Sequence, residues 1–245
     1  MNCAQLPRGC MSKTCVVSDL HLFCKRSEAH LHADAFEKAV SESDRCVLNG
    51  DIIDFRWSVF ESEERTVREA IAWLKGLVSR HPHCQFHYVF GNHDSVRSFI
   101  DKVEALAART PNLSCHHDLL RLNSTVFLHG DVVDRKMTQA EFQAARRVWH
   151  FDRKRGRLVN RMYDVAFWLG AHRAVPRIVF PRRAVAGRLV HYLEDVGQGR
   201  DSGVTDVYYG HTHVAVRGYF YEGMYFHNGG APMPKLGFSI LRAKV

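Results

Sequence analysis

Five apolar runs of strand length recur along the chain, and each ends in acids, imidazoles or an amide. They are "TCVVSDLH", "RCVLNGDIID", "FHYVFGNHD", "STVFLHGD" and "DVYYGHTH". Between them lie helical patterns. In "TVREAIAWLKGLVSR", Val67, Ala70, Ile71, Leu74 and Val78 recur at three- and four-residue spacings, as one buried helix face requires. "HLHADAFEKAV" and "SFIDKVEALA" repeat that spacing. Strands alternating with helices predict an α/β fold. In such sheets the loops at the carboxyl ends of the strands meet in one crevice. The five run ends would therefore bring Asp19, His21, Asp51, Asn92, His93, Asp94, His129, His211 and His213 together. So much charge and polarity is costly unless it is paired, and metal ions are the natural counter-charges. The pair His211 and His213 poses its own question, because residues two apart on an extended chain point to one side.

The rhythm of these ends breaks once, between His129 and His211. The interruption is the basic part of the chain. Residues 135–200 hold 13 Arg and 2 Lys against 5 acids, while the net charge of the whole is only +8. Arginine is the better bidentate partner for phosphate. Helical patterns such as "RLVNRMYDVAFWLG" and "AVAGRLVHYLEDVG" predict a folded helical cap inserted over 135–200 of a single domain spanning 1–245. Residues 1–13 read as a flexible leader without the apolar core of a signal peptide. No run reaches the ~18–20 apolar residues of a membrane span. The 7 cysteines are an odd number without a Cys-x-x-Cys pair, which argues for free thiols and a cytoplasmic setting. "HPHCQFH" has metal-like residues, but it lies at a helix-to-strand turn and reads as structural.

Taken in order, Asp-x-His, Gly-Asp-x-x-Asp, Gly-Asn-His-Asp, Gly-His and Gly-His-x-His resemble the calcineurin-like metallophosphoesterases. "FHNGG" resembles a turn near the end of that family's domain. The resemblance implies a four-layer α/β/β/α sandwich holding two divalent metal ions. Asp19, His21, Asp51 and His213 would hold one ion. Asp51, Asn92, His129 and His211 would hold the other, with Asp51 shared, so the two histidines of "GHTH" would serve different ions. Oxygen and imidazole donors without thiolate suit Mn²⁺, with Fe or Zn²⁺ as alternatives. Two such ions, two aspartates and a bridging hydroxide leave a net positive charge facing an anionic phosphoester. The implied reaction is attack of that hydroxide on phosphorus. His93 is placed to protonate the leaving oxygen, and Asp94 is expected to orient His93. Asp54 and Asp131 read as supports outside the catalytic set.

The cap bears on the substrate. A helical insertion rich in arginine and aromatics, between Gly-His and Gly-His-x-His, is similar to that of the UDP-2,3-diacylglucosamine pyrophosphohydrolases of lipid A synthesis. That subfamily has Arg where this chain has His93. The likeness implies a lipid-linked sugar pyrophosphate as substrate and peripheral contact with an anionic membrane, on the inner face of the cytoplasmic membrane. Arg153, Arg157 and Arg161 are spaced to line one helix face and would grip the pyrophosphate alongside Asn92. Phe167, Trp168 and Leu169 would lead to an apolar surface for acyl chains. The alternatives are a nucleotide or nucleic-acid phosphodiesterase and a non-catalytic scaffold. No nucleic-acid module is recognisable in the sequence, and no ligand of the motif set is missing.

Overall fold

The computed structural model of the chain describes residues 12–151, 154–168 and 170–245. The first half runs β1 (Lys13–Val17), α1 (Ala33–Ser41), β2 (Arg45–Asn49), α2 (Glu63–Arg80), β3 (Gln85–Val89), α3 (Arg97–Ala107) and β4 (Leu113–His116). A hairpin of β5 (Leu119–Leu122) and β6 (Thr125–Leu128) follows. Four helices come next: α4 (Gln139–Trp149), α5 (Arg157–Trp168), α6 (Ala171–Val179) and α7 (Arg182–Asp195). The chain then forms β7 (Asp206–Tyr208), β8 (Val216–Tyr221), β9 (Met224–Asn228) and β10 (Leu241–Lys244). All five predicted strands and all three periodic helices of the first half are present.

Two five-stranded sheets result, ordered β10-β1-β2-β3-β4 and β5-β6-β7-β9-β8. The neighbours from β1 to β4 are parallel, as are β6, β7 and β9. Strands buried on both faces read as unbroken apolar runs, which is why these were visible in the sequence. One face of the first sheet, through Leu48, Phe86 and Tyr88, packs on Val40, Leu74, Phe99 and Ile100 of α1–α3. The intervening residues Val16, Val47 and Val89 turn the other way and meet Leu120, Phe127 and Tyr208 of the second sheet. The outer face of that sheet packs on α7 through Leu189, Val190 and Leu193 and on α4 through Phe142. The layers are helices, sheet, sheet, helices. The four-layer α/β/β/α sandwich is as expected.

The insertion expected over 135–200 divides into two parts. α7 buries Val185, Ala186, Leu189, Val190, Tyr192 and Leu193, and so belongs to the sandwich as its outer layer. α4, opened by a capping box between Thr138 and Glu141, buries Phe142 and Arg146 in the same layer. Only α5 and α6 project as a cap. The arginines on α7 disguised its buried stripe. At the amino end, the expected leader boundary at 13 is too late, since Lys13 pairs with Lys244 in the sheet; residues 1–11 lie outside the described residues. No described helix is long and apolar enough to cross a membrane. Cys15, Cys24, Cys46, Cys84 and Cys115 are free thiols, and Cys15 and Cys46 are fully buried within their strands.

Candidate active site

Because β1, β2 and β3 are parallel, their carboxyl ends share one edge, and the ends of β6 and β7 meet them there across the sandwich. Asn49 fastens the junction. Its buried amide donates to the carbonyls of Leu128 (2.9 Å) and Tyr208 (3.2 Å), tying β2 to β6 and β7. The loop after β7 is shaped by Asn228 of "FHNGG", whose amide donates to the carbonyl of Gly210 at 2.8 Å.

Three donor groups form at this junction, each with its ligating atoms within 4.8 Å of one another: Asp19, His21 and His213; Asp51, His129 and His211; and His21, Asp54 and His93. In the first, the Nε2 atoms of His21 and His213 face each other at 3.0 Å, and Asp19 Oδ1 lies 3.5 Å from His213 Nε2. In the second, His129 Nε2 lies 3.3 Å from Asp51 Oδ2. Asn92 Oδ1 sits 3.1 Å from that nitrogen and 3.0 Å from His211 Nδ1. The structure brings the seven expected side chains together, Asp19, His21 and His213 in one group and Asp51, His129 and His211 in another with Asn92 beside it; Asp51 touches only the second directly. His211 and His213 diverge, one to each of these two groups. They do so because the chain leaves β7 at Tyr208 and both take left-handed backbone, with φ of 64° and 55°; the extended geometry expected for this pair is not adopted. Asp19, His21 and Asp51 share that conformation, with φ of 53°, 45° and 52°. Such backbone costs a non-glycine residue about 1–3 kcal/mol and concentrates at functional sites.

The residues fit two metal ions on grounds internal to the site. Asp19 Oδ2 is buried with no hydrogen-bond partner, an acceptor awaiting a cation. The donors are carboxylate, amide and imidazole, which suit a hard or borderline ion. The glycines of the motifs allow the close approach. A Cβ on Gly91 would come within 2.3 Å of Asp51 Oδ1, and one on Gly210 within 2.4 Å of Asp19 Oδ2. Burial pulls the His129 imidazole down, yet Asp51 outweighs it and raises its pKa to about 10. Burial likewise opposes His21, which Asp54 carries up to about 9. Asp51 stays well below the usual carboxylate range, because His129 and His93 outweigh its burial.

Asp94 does not orient His93, contrary to expectation. Its carboxylate accepts from the backbone N–H groups of Gly91 (2.6 Å) and Ile52 (2.9 Å) and from the Tyr88 hydroxyl (2.7 Å), lacing two ligand loops together. Adjacent side chains diverge, so Asp94 points inward while His93 points to the cleft. The partner of His93 is Asp54, whose Oδ1 lies 3.1 Å from His93 Nδ1. Asp54 Oδ2 also lies 3.3 Å from His21 Nδ1, close enough for charge pairing but out of line for a hydrogen bond. Asp131 is structural as expected, paired at 3.3 Å with buried Arg146. Asp134 went unread in the sequence: its Oδ1 is 2.7 Å from His211 Nε2, on the ring side away from Asn92. The second acid of "HGDVVD" was its only signal.

In the cap, Arg153 and Leu169 lie outside the described residues. Residues 154–156 are not helical and α5 begins at Arg157, so no single helix carries all three spaced arginines. Arg161 is exposed, and no described contact brings it to the site. Asp164 of α5 is held by Lys25 and Arg26, with Arg26 Nε donating at 2.9 Å. Phe167 stacks on His172 at 3.7 Å, and the Phe180 ring stands 5.7 Å from that of His211. "HPHCQFH" is structural as read: His81 pairs with Glu37, His83 with the Ser41 carbonyl and His87 with Ser114.

Fold, donor groups and sequence agree on a class. The chain belongs to the calcineurin-like phosphoesterase family, whose family model matches residues 12–215. It is a metal-dependent phosphoesterase with candidate residues for a dinuclear centre. Among solved structures it is similar to a dimetal phosphatase from Danio rerio, with 12% identity and a TM-score of 0.47 over 91% of this chain and 88% of that one. No curated protein matches it.

Proposed function

We propose that this phosphoesterase cleaves a lipid-linked sugar pyrophosphate of the UDP-2,3-diacylglucosamine type at the surface of an anionic membrane. The observation that carries the reading is the cap surface. Of the 13 large hydrophobic side chains exposed among the described residues, 9 fall between Val148 and Val179. Trp168 is 84% exposed and Ile178 75%, whereas aromatics packed between cap helices would be covered. Val159, Met162, Val165 and Trp168 are all exposed along α5, spread over about half of its circumference. The surrounding segment is strongly basic. A basic segment carrying so many exposed apolar side chains suits insertion at an anionic lipid surface.

In this reading Asp19, His21 and His213 hold one ion, Asn92, His129 and His211 hold the second, and Asp51 is shared. Mn²⁺ is the preferred ion, with Fe or Zn²⁺ as alternatives. Two bound ions supply a water of lowered pKa and a clamp on the phosphoryl oxygens. The chain supplies the rest. His93, held by Asp54, gives a proton to the leaving oxygen. Asp134 holds the His211 ring so that Nδ1 faces the site, and Asn49 and Asp94 keep the ligand loops in register.

The test is turnover by the Mn²⁺-loaded protein of UDP-diacylglucosamine in anionic vesicles, beside cyclic nucleotides, oligonucleotides and phosphoprotein. The lipid substrate should lead, and the double variant Trp168→Ser/Ile178→Ser should raise its KM tenfold or more. Preference for oligonucleotides or cyclic nucleotides, with no response to the double variant, would replace this reading with the nucleotide phosphodiesterase.

A further inference from the structure

Between α6, the start of α7 and the loop around residue 236 lies a cavity of about 170 Å³. Liquid water occupies roughly 30 Å³ per molecule, so the space suits a phosphate-sized group with a short arm. Its wall includes His213, a member of the first donor group, so it opens beside the place where phosphorus reacts. Arg177, Arg182 and His172 also line it, and no carboxylate does. Both arginines are exposed, and neither side chain makes a hydrogen bond or ion pair among the described residues.

Exposed arginines are commonly just solvated. These two differ in their placement: they face one cavity from two helices, and that cavity shares a wall with the donor cluster. Two guanidinium groups without a counter-ion favour an anion there, and their planar forks suit phosphate oxygens. His172 adds a polar feature. Its Nε2 lies 3.0 Å from the Pro234 carbonyl, a contact that requires the proton on Nε2. Nδ1 is buried and makes no hydrogen bond. Phe167, stacked on the ring, holds it in that orientation.

We infer that this cavity is a subsite for the arm of the substrate next to the reacting phosphorus, and that it selects arms carrying a second anionic group. Pyrophosphate diesters and phosphodiesters with a neighbouring ionised group are favoured over simple phosphodiesters. Arg177 and Arg182 bind the second charge. The inference rests on the phosphoesterase reading and names which substrates that site prefers; it does not require a lipid.

Two esters with the same leaving group test it: ethyl p-nitrophenyl phosphate, and the same ester bearing a phosphonate at the end of its ethyl arm. The measured quantity is the ratio of their kcat/KM values, doubly charged arm over plain arm, for the Mn²⁺-loaded protein and for Arg177→Gln/Arg182→Gln. The ratio should fall tenfold or more in the double variant, through KM. A second readout needs no turnover. Calorimetric binding of inorganic pyrophosphate to the metal-free protein should weaken at least tenfold in the same variant, with an unchanged thermal midpoint. A ratio equal to the unsubstituted protein's, or pyrophosphate binding that is unaltered, overturns the subsite. The two readings separate cleanly. If the ratio falls although UDP-diacylglucosamine is not hydrolysed, the subsite stands and the lipid reading fails. If that lipid is hydrolysed and the ratio holds, the subsite alone fails.

Discussion

His93 lies 3.1 Å from Asp54 and forms with Asp54 and His21 a third donor group, outside the two ligand sets expected from the sequence. His93→Ala should leave metal content intact and lower kcat, by about 10²–10⁴-fold on a substrate with a poor leaving group. The loss should shrink with nitrophenolate, which departs without a proton. An equal loss on both would make His93 a phosphate-positioning group. Asp54→Asn should lower kcat in the same direction and, unlike His93→Ala, also weaken one metal, because Asp54 lies 3.3 Å from His21 Nδ1 as well. The protonation of the site gives a second residue-scale prediction. His21 and His129 have pKa values raised to about 9 and about 10, so both are charged at neutral pH in the metal-free protein. Metal binding at pH 7 should therefore release roughly two protons, read as a buffer-dependent heat in calorimetry. The sign also fixes stability. A folded-state pKa above the usual ~6.5 of histidine means the pairing stabilises fully below that pH and is lost as pH climbs through 9 to 10. The metal-free thermal midpoint should fall over that alkaline range, and a binding heat independent of buffer would contradict the protonation assigned here. The seven side chains that meet in the cleft were legible because each follows an apolar run. Asp54 and Asp134 as ring partners were not, since that role exists only once separate loops meet.

At the scale of elements, the two halves of the basic segment should respond oppositely to substitution. Leu189 of α7 is fully buried against the second sheet, so Leu189→Ala should cost about 2–5 kcal/mol in denaturant unfolding. Asp164 of α5 sits in a partly exposed ion pair, where about 0–1 kcal/mol is usual. Asp164→Ala should barely move the unfolding midpoint while speeding proteolytic cleavage within 154–179, as expected of a cap tethered from outside the core. If Asp164→Ala unfolds the sandwich, α5 is not a separable cap. What was legible here follows from burial. β1, β2, β3, β6 and β7 are apolar on both faces, and α1, α2 and α3 carry one clean stripe. β8 alternates buried Val216 with exposed Arg217 and Phe220 and contains a register shift, and β4 and β5 are largely half-buried. Such strands carry too little apolar signal to stand out. Arginines spread along α7 hid its core face, so it was read with the cap.

Over the whole molecule, two parallel strand sets abut so that their carboxyl ends close on one cleft, and a basic cap with exposed apolar side chains is held beside it by Lys25 and Arg26 of the loop after β1. Asp51 ties the first two donor groups together through its backbone, although its carboxylate touches only the second. Its Oδ1 accepts from the His93 backbone N–H at 2.7 Å while Oδ2 faces His129, and its backbone carbonyl accepts from the N–H of His21 at 3.0 Å. The most direct measurement is metal content and hydrolysis together, by elemental analysis and turnover of a nitrophenyl phosphodiester, for the Mn²⁺-loaded protein and for Asp51→Ala. The intact protein should hold about two ions per chain and lose turnover on chelation. Asp51→Ala should fall well below one ion per chain, with turnover abolished and the circular dichroism of the sandwich retained. An Asp51→Ala protein that keeps two tightly bound ions, or an intact protein that hydrolyses the ester at full rate after its metal has been stripped, would contradict a dinuclear centre built on Asp51.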